Sequence, residues 1–291
     1  MTIDHATTTA PRTLRLSIGG DPLVADLYEP PQPTGELPVL LVHGWGGSGR
    51  YWAKTVQRLR ERFPLIVPDM PGIGRAMPVR RAHDMFGQVA ALEALCNELG
   101  IRKAHVVGHS MGGGVTIMLA ARRPDLIERL VLTSIALFES DAQRQLFSRV
   151  VDSAALMMHL RGSWMADLPG LTNQAARTFF TRVPDEPELL RAAFRDYLTM
   201  DRASAVASAR NATSPEIGRA AAHIQAPTLL IVGSDDRYMP AENIASTVRS
   251  IPNCQARQIE RCGHLPMVEQ PEAYAALLQA FLTAPGAEAP G

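Results

Sequence analysis

A serine stands in a Gly-x-Ser-x-Gly string at residues 108–112, where its hydroxyl could act as a nucleophile. The apolar stretch His105–Val107 before Ser110 predicts a strand, and Met111–Arg123 after it predicts a helix. A sharp strand-to-helix turn presents the hydroxyl at the carboxyl edge of a sheet, above a helix N-terminus. The other interpretation is an ordinary glycine-rich turn, because so short a string also arises by chance.

A serine hydroxyl needs a histidine to accept its proton, and the chain has eight histidines. His264 is the candidate base, because it lies in a glycine-containing loop between a predicted strand, Ala256–Ile259, and a predicted helix, Pro271–Leu282. This position leaves it free to reach Ser110. A loop histidine exposed to water is the alternative. The other histidines lie in the N-terminal segment, in motifs with other roles, or in stretches without catalytic context.

An acid that orients the histidine should stand at the end of the preceding strand. The predicted strand Thr228–Val232 runs into Asp235 and Asp236. Neighbouring side chains point to different sides, so one of the two aspartates meets the histidine. We predict Asp236 for this role and keep Asp235 as the second choice. Glu139 and Asp141 follow an earlier predicted strand and are more distant alternatives.

Backbone N–H groups must stabilise the negative charge that develops on the carbonyl oxygen under attack. The N–H of Met111 lies at the predicted helix start, directly after Ser110. A second donor is expected from the glycine-rich loop at residues 43–48, because its glycines allow a close backbone approach. The N–H of Trp45 is the predicted donor. Packing of the Trp45 ring is the alternative role, and the two roles are compatible.

Short apolar runs that end in Gly, Pro, Asp or Ser alternate with helix-length segments along most of the chain. Runs this apolar are typical of strands covered on both faces, as in a parallel sheet. The predicted strands, beginning with an N-terminal hairpin, are Leu14–Ser17, Leu23–Tyr28, Val39–Val42, Leu65–Val67, His105–Val107, Leu130–Leu132, Thr228–Val232 and Ala256–Ile259. The predicted helices that accompany them are Arg50–Arg62, Met85–Leu99, Met111–Arg123, Ala241–Ser250 and Pro271–Leu282. This order predicts an α/β fold, with a mostly parallel eight-stranded sheet and helices on both faces.

One long segment, residues 136–224, breaks this alternation, and the sheet pattern resumes at Ala226. It holds four helix-like stretches, which are Ala142–Leu160, Thr172–Thr181, Pro187–Thr199 and Arg202–Asn211. The segment is too long for a plain loop, so a helical insertion after the sixth strand is predicted. The remaining predicted parts are an α/β core at 13–135 and 225–283 and flexible tails at 1–12 and 284–291.

These motifs resemble the α/β-hydrolase superfamily, in the lidded branch that holds esterases, lactonases, carbon–carbon bond hydrolases and cofactor-free haloperoxidases. The resemblance covers residues 14–282 and rests on the His-Gly-Trp-Gly loop at 43–46 and on the three candidate residues Ser110, Asp236 and His264. It implies a catalytic triad in the chain order serine, aspartate, histidine. It also implies that the insertion is a cap over the active site.

In that family, relatives that open epoxides or displace halide use aspartate as the nucleophile. Ser110 therefore favours acyl transfer to water from an ester, thioester, lactone or amide, and neither a cofactor nor a metal is expected. A cap lines the pocket and excludes water. The predicted pocket residues, for which packing is the alternative role, are His109, Leu137, Phe138, Met157, Trp164, Met239 and Leu265. A methionine-bearing apolar lining suits a small-molecule substrate with an apolar group.

Bulk composition excludes several other classes of protein. The 291 residues carry 29 basic and 29 acidic side chains, so nothing in the net charge favours nucleic acid or an anionic membrane as partner. No apolar run approaches the ~18 residues of a membrane span. Three cysteines at no metal-like spacing, and an N-terminus without signal-peptide features, predict a soluble cytoplasmic protein. The sequence leaves the oligomeric state open.

The leading hypothesis is a cofactor-free hydrolase of a small or medium apolar ester, thioester or lactone, acting through an acyl-enzyme on Ser110. The same triad could serve carbon–carbon bond hydrolysis, acyl transfer, perhydrolysis or a dedicated biosynthetic step, because a fold and a triad do not fix the substrate. A non-catalytic ligand-binding protein would lack a triad member or the glycine-rich loop at residues 43–48, which we call the oxyanion loop. Every expected position is filled, so this last hypothesis ranks lowest.

Overall fold

The computed structural model describes residues 10–138, 142–145, 149, 161–212, 214–239 and 242–284. In this part of the chain eight strands form one sheet, and they are β1 Arg12–Ile18, β2 Asp21–Tyr28, β3 Val39–Val42, β4 Leu65–Asp69, β5 Ala104–His109, β6 Ile127–Thr133, β7 Thr228–Gly233 and β8 Cys254–Ile259. Their order in the sheet is β1-β2-β4-β3-β5-β6-β7-β8. Strand β2 pairs antiparallel with β1 and β4, and the other neighbouring pairs are parallel. The predicted mostly parallel eight-stranded sheet is confirmed.

Helices pack against both faces of this sheet. Their bounds are α1 Ala53–Leu59, α2 Met85–Glu98, α3 Met111–Arg122, α4 Leu171–Ala176, α5 Pro187–Thr199, α6 Arg202–Asn211, α7 Pro215–Ala221, α8 Glu242–Ser250, α9 Pro266–Glu269 and α10 Pro271–Leu282. Short 3-10 turns occupy Gly49–Trp52 and Ser163–Asp167. The predicted helix Arg50–Arg62 is thus a 3-10 turn followed by a shorter α-helix. Helix α10 has the predicted bounds at both ends.

One apolar layer lies between the sheet and the helices on each face, and the side chains of strand β3 contribute to both layers. Leu40 and Val42 pack in the layer that contains α2 and α3, whereas Val39 and Leu41 pack in the layer that contains α1 and α10. All four side chains are fully buried. Successive side chains of a strand point to opposite faces, so a strand covered on both sides must be apolar throughout. This is why unbroken apolar runs, rather than alternating ones, locate the parallel strands.

The inserted segment, defined here as residues 134–227 between β6 and β7, is helical where it is described. Helices α5 and α6 have the predicted bounds, and α7 is an additional helix. The predicted helix Thr172–Thr181 ends early, at Ala176. Beyond it, the Phe179 carbonyl accepts from the His264 N–H, and the N–H groups of Thr181 and Arg182 donate to the Glu269 carboxylate. Most of the predicted helix Ala142–Leu160, and most of both predicted tails, lie outside the described residues.

No helix in the described residues combines the length and apolar character that a membrane span requires.

Candidate active site

Ser110 occupies a strained turn between strand β5 and helix α3. Its φ of 52° and ψ of −121° lie outside the regions that side-chain-bearing residues normally adopt. The backbone is held there from both directions, because the Ser110 N–H donates to Thr133 O at 2.8 Å and the Ser110 carbonyl accepts from the Gly113 N–H at 2.8 Å. The turn leaves the serine side chain half-exposed at the carboxyl edge of the parallel strands.

A close backbone approach brings this turn against the end of strand β3. A Cβ atom at Gly112 would lie 2.4 Å from the carbonyl oxygen of His43, so only glycine allows helix α3 to begin at this distance. A Cβ atom at Gly44 would lie 3.1 Å from the Cβ of Ser110. The loop of residues 43–48 is therefore in direct contact with the serine.

His264 lies between Ser110 and Asp236 in one hydrogen-bonded row. The Nε2 atom of His264 is 3.1 Å from the Oγ of Ser110, and its Nδ1 atom is 2.9 Å from the Oδ2 of Asp236. His264 and Asp236 are both buried. The His264 N–H also donates to the carbonyl of Phe179 at 2.7 Å. With Nδ1–H donating to the carboxylate, Nε2 is free to accept the proton of the serine hydroxyl.

The carboxylate of Asp236, rather than that of Asp235, meets the histidine. Its second oxygen, Oδ1, accepts the backbone N–H groups of Tyr238 at 2.9 Å and Met239 at 3.1 Å. Burial alone would raise the Asp236 pKa, but the hydrogen bond and charge of His264 and these two donors hold it below the ordinary aspartate value. Asp235 is exposed and accepts from the Ser234 hydroxyl.

The two alternative acids, Glu139 and Asp141, lie outside the described residues.

The loop at residues 43–48 is oriented by a buried histidine. The Nδ1–H of His43 donates to the Gly44 carbonyl at 2.9 Å, and Nε2 accepts the Met70 N–H at 3.0 Å. Burial lowers the pKa of His43 and so favours the neutral ring that these bonds require. Within the described residues, no acceptor bonds the N–H of Trp45 or the N–H of Met111 at the start of α3. Two backbone donors therefore remain available beside Ser110.

The ring of Trp45 has a separate contact. Its Nε1–H donates to the carbonyl of Ala205 in helix α6 at 2.9 Å, and the ring meets Tyr197 of helix α5 edge-on at a centroid distance of 5.7 Å. The side chain thus packs the inserted segment against the loop. This is the packing role that the sequence left open, and it does not use the Trp45 backbone.

The ring of His109, a predicted pocket residue with packing as its alternative role, is bonded to protein groups on both sides. The ring is buried, with Nε2 at 2.9 Å from the carbonyl of His264 and Nδ1 at 3.0 Å from the hydroxyl of Tyr51. Burial, together with the nearby His264, lowers its pKa to about 3, so the ring is neutral. Both ring nitrogens are bonded to protein groups, which leaves neither for a substrate.

The other predicted pocket residues have varied surroundings. Leu137 is buried and donates its N–H to Thr247 of helix α8 at 3.0 Å. Phe138, Met239 and Leu265 are half-buried, the last against the α1 and α10 layer. Trp164 is 63% exposed on the 3-10 turn of the inserted segment, so the structure gives no support to its predicted place in the pocket wall. Met157 lies outside the described residues.

An aromatic pair that the sequence reasoning missed lies beside His264. Phe179 and Tyr238 stack at a centroid distance of 5.1 Å, and the Tyr238 ring is also 5.1 Å from the His264 ring. Phe179 is 38% exposed and Tyr238 is 42% exposed. The signal for Tyr238 was its position two residues after Asp236. Phe179 carried no such signal, because it comes from the inserted segment.

Glu269 is a second residue that was missed, and it joins the inserted segment to the loop of His264. One carboxylate oxygen accepts the N–H of Gly263 at 2.8 Å and of Thr181 at 3.3 Å, and the other accepts the N–H of Arg182 at 2.6 Å. Together with the His264 N–H to Phe179 bond, these contacts fix residues 179–182 against residues 263–264. We call this set of four hydrogen bonds the Glu269 clamp.

No group of three or more His, Cys, Asp or Glu side chains in the described residues is placed to hold a metal ion.

The strand order and the serine turn after β5 define an α/β hydrolase. The sequence model of the Alpha/beta hydrolase family matches residues 39–277. The chain therefore belongs to the alpha/beta hydrolase family, and it is an enzyme of the hydrolase type.

Its relatives carry names for different functions. The chain is 29% identical over 258 residues to a Pseudomonas syringae protein provisionally named carbamate hydrolase RutD, covering 84% of this chain and 93% of that protein. It is 30% identical over 244 residues to the magnesium-chelatase 30 kDa subunit of Rhodobacter capsulatus, covering 78% and 80%. Among solved structures, a thermophilic esterase from Thermogutta terrifontis superposes with a TM-score of 0.75 at 25% identity, covering 93% of this chain and 98% of that one. Membership in the family thus leaves the substrate open.

Proposed function

We propose that the chain is a serine hydrolase that cleaves a small or medium apolar ester, thioester or lactone through an acyl-enzyme on Ser110. The observation that carries this proposal is the row formed by Ser110 Oγ, His264 Nε2 at 3.1 Å and Asp236 Oδ2 at 2.9 Å from His264 Nδ1. A hydroxyl becomes an effective nucleophile when a positioned base takes its proton during attack. The esterase among the structural relatives supports the same reaction class.

Acylation begins when the Ser110 oxygen attacks the substrate carbonyl while its proton passes to Nε2 of His264. The tetrahedral intermediate carries its negative charge on the former carbonyl oxygen, where the N–H groups of Trp45 and Met111 stabilise it. Asp236 stabilises the imidazolium through Nδ1–H. When the intermediate collapses, the bond to the leaving group breaks and His264 returns the proton to that group.

Deacylation repeats these steps with water. His264 removes a proton from the water as it attacks the acyl carbonyl, and the same two N–H groups stabilise the second oxyanion. Collapse releases the carboxylic acid and returns the proton to Ser110. The chain's own residues supply every proton transfer, so the proposed cycle uses no cofactor.

Residues 136–224, within the inserted segment, would act as the cap of this site and set the choice of substrate. Two contacts support this role: Phe179 stacks on Tyr238 beside His264, and Tyr197 packs on the ring of Trp45. The exposed faces of Phe179 and Tyr238 offer an apolar surface next to the reacting atoms. A small molecule with an apolar acyl or alcohol group is therefore the proposed substrate.

A fluorophosphonate probe should form one covalent adduct on Ser110. The serine oxygen displaces fluoride from phosphorus, and His264 accepts the serine proton. Mass spectrometry of the digested protein locates the adduct. Ser110→Ala should show none. Ser134→Ala is the matched control, because Ser134 is also a strand-end serine with a positive φ of 49°, and this variant should label like the wild type. Absent labelling, or an adduct on another serine, would contradict the proposal.

The apolar surface predicts a chain-length preference among p-nitrophenyl esters. Each buried methylene contributes about 0.8 kcal/mol, which corresponds to roughly a fourfold rise in kcat/KM per carbon as long as the chain stays in contact with the protein. Steady-state kinetics from acetate to octanoate measure this. Tyr238→Ser, which keeps a hydroxyl but removes the ring, should flatten the series. A profile that falls steadily from acetate would argue for a polar or very small acyl group instead.

A further inference from the structure

The hydroxyl of Tyr51 joins the glycine-rich loop to the residue before Ser110. Tyr51 is buried in the 3-10 turn Gly49–Trp52. Its oxygen accepts a short hydrogen bond from the Gly44 N–H and lies 3.0 Å from Nδ1 of His109. One side-chain hydroxyl thus satisfies two buried groups, each next in sequence to a group of the proposed site.

The direction of these hydrogen bonds follows from the far side of the His109 ring. Nε2 lies 2.9 Å from the carbonyl oxygen of His264, which can only accept, so Nε2 carries the proton. In the neutral ring Nδ1 must then accept, and the Tyr51 hydroxyl donates to it. The hydrogen-bond chain runs from Gly44 through Tyr51 and His109 to His264. It links the oxyanion loop, the serine turn and the loop of the proposed base.

The Trp45 N–H belongs to the Gly44–Trp45 peptide, and hydrogen bonds to the Gly44 carbonyl hold this peptide in place. The Gly44 carbonyl accepts from His43 Nδ1 at 2.9 Å and from the Gly47 N–H at 3.2 Å. A trans peptide is planar, so the Trp45 N–H points opposite to this carbonyl. The other end of Gly44 is its own N–H, which Tyr51 binds. Glycine is the residue with the greatest backbone freedom, and these contacts remove that freedom on both sides.

We propose that Tyr51 is a positioning residue whose hydroxyl fixes the direction of the Trp45 N–H and couples the oxyanion loop to the His264 loop through His109. The inference rests on the proposed function, which gives the Trp45 N–H its role. An oxyanion donor acts when the substrate carbonyl becomes tetrahedral, so a loss of alignment weakens the transition state more than the bound substrate.

The test compares Tyr51→Phe with Tyr274→Phe. Tyr274 is also a fully buried tyrosine in the α1 and α10 layer, and its hydroxyl bonds the side chain of Thr133 at 2.8 Å. Both variants lose one buried hydroxyl and leave its hydrogen-bond partners without it, but only Tyr51 contacts the oxyanion loop. Fluorophosphonate titration first counts the reactive sites. The kinetics of a p-nitrophenyl ester and inhibition by an apolar trifluoromethyl ketone are then measured per reactive site.

The ketone reports on the oxyanion, because Ser110 adds to its carbonyl and leaves a negatively charged oxygen in the proposed hole. Loss of a whole oxyanion donor lowers kcat by about 10² to 10³, so a misaligned donor in Tyr51→Phe should lower it by about 10-fold to 100-fold. KM should stay within about twofold, and the inhibition constant of the ketone should rise by the same factor as kcat falls. Tyr274→Phe should change neither quantity by more than about twofold.

Three results would overturn the inference: an unchanged kcat in Tyr51→Phe, equal losses in both tyrosine variants, or a lower kcat with unchanged ketone affinity. If the wild type itself fails to label, the proposed function fails instead. Should Tyr51→Phe not fold, His109→Gln replaces the ring acceptor Nδ1 by a side-chain amide that is less rigidly placed toward the Tyr51 hydroxyl, and it keeps a donor toward His264. That variant should shift kcat and ketone affinity together by a smaller factor, and independent changes would reject the coupling.

Discussion

Replacing Ser110 by alanine is expected to lower kcat for a p-nitrophenyl ester by about 10⁴-fold to 10⁶-fold, as removal of the nucleophile does in serine proteases. The oxyanion donors and the bound substrate remain, but no group can form the acyl-enzyme. Thermal stability should change little, because alanine keeps the backbone of the turn and removes a half-exposed hydroxyl. Steady-state rates and thermal melts of the purified variant measure the two effects.

Ser110→Gly extends this test to the strain of the turn. The φ of 52° costs a residue with a side chain about 1–3 kcal/mol, and glycine removes most of that cost while its greater freedom in the unfolded chain offsets part of the gain. The variant should therefore be inactive and melt a few degrees higher. Asn253→Gly, at a φ of 53° in an exposed turn, is the matched control and should retain full activity. Activity above about 1% in either Ser110 variant would assign the nucleophile elsewhere.

Asp236→Asn is expected to lower kcat by about 10⁴-fold while the fold persists. The amide can keep a carbonyl oxygen toward the N–H groups of Tyr238 and Met239, but its NH2 group then faces Nδ1 of His264. The ring must accept at Nδ1 and carry its proton on Nε2, so it cannot take the proton of Ser110. Because its pKa is depressed, Asp236 stays ionised as the pH falls through the normal aspartate range, so its titration does not set the acid limb of kcat/KM.

The neighbouring substitution Asp235→Asn provides the control. Asp235 is exposed and bonds only the Ser234 hydroxyl through its side chain among the described residues, so we expect less than about a threefold change in kcat. Kinetics of both variants on the same ester, with active sites counted, decide between the two aspartates. A larger loss in Asp235→Asn would reverse the assignment.

The elements of the core could be predicted because each depends on local sequence. Strands buried on both faces need unbroken apolar runs, and β3 has the bounds that its run predicted. The turn at Ser110 needs small residues on both sides. Strands β5, β6, β7 and β8 are parallel neighbours, so the ends of β5 and β7 and the loop after β8 lie at the carboxyl edge of the sheet. The meeting of Ser110, Asp236 and His264 is a consequence of that topology.

Side-chain contacts between segments that are far apart in the sequence could not be predicted. Tyr51 lies in a stretch that reads as the start of a helix, and nothing local indicates that its hydroxyl returns to Gly44. The ring of His109 was open to either a ligand or a packing role, because its partners Tyr51 and His264 are far apart in sequence. The pocket was the least predictable part, since apolar residues of a helical segment serve its own packing equally well.

The Glu269 clamp bears on how new specificities can arise in this enzyme by recombination. The segment that would choose the substrate also binds the main chain of His264 through the Phe179 carbonyl, and it binds the Glu269 carboxylate through the N–H groups of Thr181 and Arg182. A graft of another family member's insertion would therefore disturb the base unless it leaves residues 179–182 in place. Residues 179–182 must therefore be inherited together with the histidine loop, and a graft must also keep the contacts of Tyr197 and Ala205 with the ring of Trp45.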